Sequence, residues 1–312
     1  MGFLSFSTGV RRELDGWIGQ AVKGYAATVA IWTTYQATLS SIDVLALSII
    51  FLSLMLVLVF VLIGSSSTAD KTTPSAIDFI LATCSLIVGI YFVLSIPEIS
   101  TRISLFTDLS SLQRIFSVLI ILLTLEATRR TVGAGLMVIV ILFIFYNLYG
   151  DYFEGPLRHG EITLDHFLDI SVFTSDGLFG IPIRVAATYA FVFVMFGTFL
   201  EKAKGGDFFF NIAALISGKS PGGPAKVAVF SSALFGTVSG SPTSDVVTTG
   251  SITIPMMKRL GYSGTLAGAV EVAASTGGSL LPPIMGSAAF IMAEFTGIPY
   301  SQIIIAALIP AL

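Results

Sequence analysis

Charge is what this chain has least of. Of 312 residues only 11% are Asp, Glu, Lys or Arg, against about 25% in soluble domains. So few charges cannot solvate the surface of a globular protein of this length. The 16 basic and 19 acidic side chains leave a net charge of -3 and are scattered, which excludes a basic face for nucleic acid. The single cysteine, Cys84, excludes a disulfide framework; it lies in an apolar run and reads as a small filler. The two histidines, His159 and His166, are too far apart in sequence for an i,i+4 metal pair and have no second cluster beside them. There is no G-x-S-x-G elbow and no H-E-x-x-H. A Ser241–Asp245–His166 triad fails because His166 belongs to an outer interfacial helix, whereas the other two face the cytoplasmic side. The chain therefore reads as no enzyme, with no catalytic residue. A cleavable signal is also missing, since Arg11 and Arg12 are followed by Glu13 and Asp15 instead of an apolar core.

What the chain has in abundance is apolar length. Hydrophobic residues make up 54% of it and the mean hydropathy is +0.90. The fold class is all-α, a polytopic membrane protein. Helical spans are expected over 43–63, 76–96, 112–127, 132–149 and 183–200. The stretch 24–41 is less apolar, carrying Thr33, Thr34, Tyr35 and Gln36, and either crosses or lies in the interface. Positive charge decides between these. If 24–41 crosses and the N-terminus is cytoplasmic, only Arg102, Arg114, Arg158 and Arg184 face outward and the other 12 of the 16 basic residues face inward. This topology requires Lys226 and Lys258 to share a side, so the segment between them must enter and return. The stretch 161–175 alternates acidic and apolar residues and reads as an amphipathic interfacial helix, while 208–217 is too short to cross.

The composition changes between residues 236 and 286. Two short apolar arms, 225–238 and 246–257, flank Ser239-Gly240-Ser241-Pro242-Thr243-Ser244-Asp245. Each arm is roughly 20 Å long at helical rise, too short for a span, so the pair reads as a re-entrant hairpin. A second pair of arms, 266–275 and 284–293, flanks Ser275-Thr276-Gly277-Gly278-Ser279-Leu280-Leu281-Pro282-Pro283, where paired glycines and paired prolines break a helix. Irregular backbone at membrane depth survives only where protein buries it or where it lines a polar site. Broken helices offer carbonyls and half-helix ends to ions. The competing explanation for one such stretch is close packing through small residues; two successive interrupted pairs favour an ion and solute pocket. Oxygen ligands for Na⁺ would come from Ser239, Gly240, Ser241, Ser244 and Asp245 at the tip and from Ser275, Thr276, Gly277 and Gly278 at the break. Ser241, Asp245, Thr276 and Gly277 are the first candidates. Among the other acids, Glu126 stands one turn before Arg129 and Arg130 and reads as an interfacial ion pair. Glu271, one turn before the break, reads either as a paired structural acid or as a group that shapes the break or relays a proton.

Several runs carry a family likeness. They are Leu125-Glu126-Ala127-Thr128-Arg129-Arg130-Thr131-Val132-Gly133, Phe199-Leu200-Glu201-Lys202, Gly222-Gly223-Pro224-Ala225-Lys226, Gly240-Ser241 with Val246-Val247-Thr248-Thr249-Gly250-Ser251, and Ala274-Ser275-Thr276-Gly277-Gly278 with Leu281-Pro282-Pro283. Together they resemble the fused membrane subunit of tripartite ATP-independent periplasmic (TRAP) transporters, in the branch served by TAXI-type solute-binding proteins. The resemblance implies a secondary transporter of the inner membrane, taking an organic anion from an extracytoplasmic binding protein. It also implies Na⁺ as the coupling ion, with H⁺ as the alternative, and no other cofactor. By the same likeness, residues 1–150 are a small-subunit-like bundle and 151–181 a connecting amphipathic arm. Residues 182–312 are then the first part of an elevator-type inverted-repeat transport domain, with hairpin 225–258 and broken helix 262–296. The tip Pro242-Thr243-Ser244-Asp245 departs from the family pattern, and only one half of the repeat is expected here. The alternative is a non-transporting bundle that only binds partner subunits.

Overall fold

A computed structural model describes residues 8–39 and 42–311. The far ends of the readings over 24–41 and 182–312, at Ser40, Ser41 and Leu312, lie outside the described residues, as do the first seven residues of the reading over 1–150. Among the described residues there is no strand, only an isolated bridge between Arg11 and Ile63. Five helical stretches are long and apolar enough to cross a membrane: Val44–Leu62, Ala76–Leu94, Ser111–Thr131, Ala134–Tyr152 and Ile181–Lys202. The chain is an all-α polytopic membrane protein. It divides into two compact units, Met1–Ala187 and Thr188–Leu312.

The first unit contains α1 (Gly16–Leu39), α2 (Val44–Leu62), α3 (Ala76–Leu94), α4 (Ile96–Thr101), α5 (Ser111–Thr131), α6 (Ala134–Tyr149), α7 (Leu164–Val172) and α8 (Ile181–Val185). Helix α2 is central. Its Ile49, Leu52, Leu56 and Phe60 pack in one cluster with Val88 and Phe92 of α3, Ile120 and Leu123 of α5, and Leu168 and Val172 of α7. In lipid, close packing rather than water exclusion holds helices together, and small residues allow it. A Cβ on Gly89 would come within 2.5 Å of Ser53 Cβ. Helix α1 runs antiparallel to α2. Arg12, just before α1, bonds Val61 O at 3.0 Å near the end of α2, and the Tyr25 hydroxyl reaches Leu54 O at 3.3 Å. Helix α1 is 24 residues long, although it is not among the five apolar stretches.

One end of this unit is built on ions. Asp78 is the third residue of α3 and closes a capping box with Ser75. The same carboxylate takes Arg12 at 2.7 Å and Arg130 at 2.6 Å. Glu126 takes Arg129 and Arg130, both at 2.7 Å, the helix-turn pairing expected from its spacing. Three guanidiniums therefore share two carboxylates. Near the opposite end, Asp165 and Asp169 on α7 meet Arg114 and Arg102, while Leu168 and Val172 enter the core. The His159 ring lies between the carbonyls of Gly160 and Tyr146, and the His166 backbone N–H is capped by Thr163.

The second unit contains α9 (Phe191–Lys202), α10 (Gly205–Ser217), α11 (Gly223–Ser239), α12 (Pro242–Thr248), α13 (Gly250–Arg259), α14 (Gly264–Gly278), α15 (Ser287–Thr296) and α16 (Tyr300–Ala311). Both interruptions expected from composition are present, with different limits. The first is only Gly240–Ser241. Gly240 takes the left-handed conformation at φ 59° that ends α11, and Ser241 caps α12, which Pro242 opens. Ser244 and Asp245 therefore lie in a helix instead of an irregular tip. The second interruption covers 279–286. Gly277 and Gly278 stay helical and the chain departs only as it approaches Pro282 and Pro283. Those prolines lack the donors a continuing helix would need.

Candidate functional site

The site is assembled where α11, α12, α13 and α14 meet. Helices α11 and α14 cross at two glycines. A Cβ on Gly236 would lie 2.7 Å from Gly278 Cα, and one on Gly278 would lie 2.7 Å from Ser232 O. Only glycine allows this approach. It brings the first interruption beside the second: the Ile284 N–H donates to Thr237 O at 3.1 Å.

Two buried carboxylates occupy this junction. Asp245 is fully buried. Ser239 Oγ donates to its Oδ1, and the Ser241 N–H donates to Ser239 Oγ at 3.1 Å. Asp245 Oδ2 is buried and has no hydrogen-bond partner; it faces the Gly236 backbone, where a Cβ would be 2.9 Å away. Glu271 is also fully buried. It accepts from Ser232 Oγ and Thr249 Oγ1, both at 2.7 Å, and from Ser275 Oγ at 3.4 Å; Thr253 Oγ1 donates to its other oxygen. Ser232 and Thr249 are themselves 2.9 Å apart. No ion pair involves either acid among the described residues. The arrangement is an all-oxygen cluster with two acids and no guanidinium or ammonium, which is hard-cation chemistry.

The predicted site residues divide into two groups. Ser239, Gly240, Ser241, Ser244 and Asp245 come together at the first interruption, where Ser241 Oγ accepts the Ser244 N–H at 3.4 Å. From the second group, Gly278 reaches the crossing and Ser275 turns to Glu271. Thr276 does not join them: its side chain is exposed and its hydroxyl donates to Val272 O at 2.7 Å. A Cβ on Gly277 would meet nothing within 4 Å. The carbonyls freed at the second interruption find protein donors, Pro283 O taking the Tyr300 hydroxyl at 3.0 Å and Ser279 O the Gly286 N–H at 2.7 Å. Sequence reading overlooked Ser232, Thr249 and Thr253. Their signal was the four-residue spacing of Asp245, Thr249 and Thr253, which stacks three oxygen-bearing side chains on one helical face.

Apolar helices of spanning length, with interrupted neighbours that enclose unneutralised acids, define a polytopic membrane protein of the transporter class. The comparison with known families makes this specific. The model of the tripartite ATP-independent periplasmic transporter DctM component matches residues 119–312, and the chain belongs to that family. It is a TRAP transporter membrane component. Two curated relatives align over shorter stretches. The isethionate TRAP transporter permease protein DctMQ of Oleidesulfovibrio alaskensis is 29% identical over 126 residues, 40% of this chain and 18% of that one. The uncharacterized protein YgiK of Salmonella typhimurium is 33% identical over 73 residues, 23% of this chain and 17% of that one. The alignments thus span under one fifth of either relative's length. No solved structure matches.

Proposed function

We propose that this chain contributes the brace and the first half of the moving domain of a cation-coupled TRAP permease. Residues 1–150 form the brace, 151–181 the connecting arm and 182–312 the start of the transport domain. The permease takes up an organic anion delivered by a TAXI-type solute-binding protein, with Na⁺ as the coupling ion. The N-terminus is cytoplasmic in the inner membrane, following the distribution of Lys and Arg. One observation carries the reading: Asp245 Oδ2 is a buried carboxylate oxygen without a partner, beside Ser239 and Ser241 at a helix interruption. An uncompensated acid in a membrane is costly unless a cation or proton joins it. Movement of the hairpin and broken helix as a body would then carry the occupied pocket between the two sides.

The test is Na⁺ activation of solute uptake in liposomes holding the complete transporter and its binding protein. Asp245→Asn is expected to raise half-saturating Na⁺ about tenfold, equivalent to about 1.4 kcal/mol of lost binding. Thr276→Ala is expected to stay within about twofold, because its hydroxyl serves Val272 O on the outer flank of α14. Unchanged Na⁺ activation in Asp245→Asn, or uptake indifferent to Na⁺ in the wild type, contradicts the reading.

A further inference from the structure

One end of the second unit collects positive charge. Ala225 and Ala228 of α11, Ile254 and Met257 of α13, and Ala267 and Val270 of α14 pack together there. Lys226 follows Ala225 in the first turn of α11, and Lys258 and Arg259 follow Met257 in the last turn of α13. Lys219 lies in the turn between α10 and α11, which folds back so closely that a Cβ on Gly223 would lie 2.5 Å from Gly218 O. The packing therefore gathers four cations on one rim. Lys219, Lys258 and Arg259 are exposed and Lys226 is half-buried. The Lys258 stem runs over Gly264, where a Cβ would meet its Cε at 3.9 Å, so its methylenes are packed while its ammonium reaches outward.

No acid of the unit answers these cations. From Phe208 to Ala293 the sequence holds only Asp245 and Glu271. Both are fully buried, and Glu271 is held by Ser232, about 9 Å along α11 from Lys226 at 1.5 Å per residue. None of the four cations enters an ion pair among the described residues. The C-terminal dipole of α13 favours Lys258 and Arg259, but Lys226 stands at the start of α11, where the dipole opposes a cation. Negative charge from outside the unit would reverse that cost. The same rim also exposes apolar side chains, Leu260 at 61% and Leu266 at 50%. A groove of about 460 Å³ runs beside Arg259, lined by Ile252, Pro255, Met256, Leu260 and Ser251. A free anion or an acidic protein tail leaves these apolar groups in water. A phospholipid boundary takes both kinds, phosphates against the cations and methylenes against the leucines.

From this unanswered charge beside exposed leucines we infer that the rim formed by Lys219, Lys226, Lys258 and Arg259 is a docking surface for anionic phospholipid headgroups of the adjoining leaflet, with an acyl chain in the α13 groove beside Arg259. The inference is independent of the cation assigned to Asp245. The lipid supplies the counter-charge that the start of α11 lacks and covers Leu260.

The experiment reads the fluorescence of Leu260→Trp in a Trp17→Phe, Trp32→Phe background. The purified chain is placed in nanodiscs of equal dioleoyl phosphatidylcholine and dioleoyl phosphatidylglycerol, with brominated chains on one lipid or on the other. Brominated phosphatidylglycerol is expected to quench about threefold more than brominated phosphatidylcholine, because the cations enrich the anionic lipid around the probe. Leu142→Trp in the same background, on α6 and equally exposed at 61%, should show no preference. Replacing Lys219, Lys226, Lys258 and Arg259 together by Gln should equalise the two lipids at position 260. Salt at about 1 M, where the screening length is about 3 Å, should do the same without any substitution at the rim, which keeps the test decisive if the fourfold variant does not fold. Inorganic phosphate at constant ionic strength should change nothing. Equal quenching by the two lipids, a preference that survives neutralisation or high salt, a preference abolished by inorganic phosphate, or a probe shielded from both lipids by protein would each overturn the inference.

Discussion

Arg130→Ala is expected to destabilise the protein by about 3–5 kcal/mol, the usual cost of stripping one partner from a buried ion network. Arg130 is 1% exposed and sits between Asp78 at 2.6 Å and Glu126 at 2.7 Å. It also donates to Ile63 O at 3.1 Å and lies 5.1 Å over the Phe60 ring. Removing it leaves Arg12 as the one remaining cation on Asp78 among the described residues and opens a void beside Phe60. Lysine should not rescue, since an ammonium cannot fork between two carboxylates. The comparison is Arg114→Ala. Arg114 meets Asp165 at the same 2.7 Å, but both side chains are about 45% exposed, and such pairs are worth about 0–1 kcal/mol. Thermal unfolding in detergent measures both. Similar losses in the two variants would show that burial does not set the value of these bridges.

Gly236→Ala is expected to cost about 1–3 kcal/mol, as overpacking does in a close-packed interior, and to abolish solute uptake. The new methyl would meet the Gly278 backbone at 2.7 Å and Asp245 Oδ2 at 2.9 Å. Backbone cannot swing aside as a flexible side chain does, so α11 and α14 must part. Their separation disperses Ser232 from Glu271 and displaces Asp245. Gly268→Ala supplies the opposite sign. It lies on the same α14, where a Cβ meets nothing within 4 Å, and alanine in an open helical position is worth about 0.5–1 kcal/mol over glycine. A Gly236→Ala protein with wild-type melting and uptake would mean that the crossing is looser than described.

The apolar spans were legible because lipid imposes length and composition directly on a helix. The two interruptions were legible because Gly240 with Ser241, and Pro282 with Pro283, are local chemical events that no tertiary context erases. Their limits were harder. Asp245 was expected in an irregular tip, yet Pro242 at the first helical position and Ser241 as its cap start a new helix at once. Gly277 and Gly278 were expected to break α14, yet the Gly236 backbone packed against Gly278 keeps that turn helical. The hydroxyl shell of Glu271 was hidden for another reason. Ser232, Thr249, Thr253 and Ser275 come from three helices, and their convergence is a matter of packing. Thr276 shows the converse error, since nearness in sequence to Ser275 placed it in a group from which one step of helical rotation removes it.

Equilibrium binding of radiolabelled Na⁺ to the purified chain in lipid nanodiscs, without solute or partner, examines the interrupted helices by themselves. Saturable binding that weakens about tenfold in Asp245→Asn and keeps its strength in Thr276→Ala is the expected outcome: an acid left bare in the bilayer would have found its counterion. Binding of equal strength in all three proteins, or none in any of them, would show that this oxygen-lined junction only holds helices together.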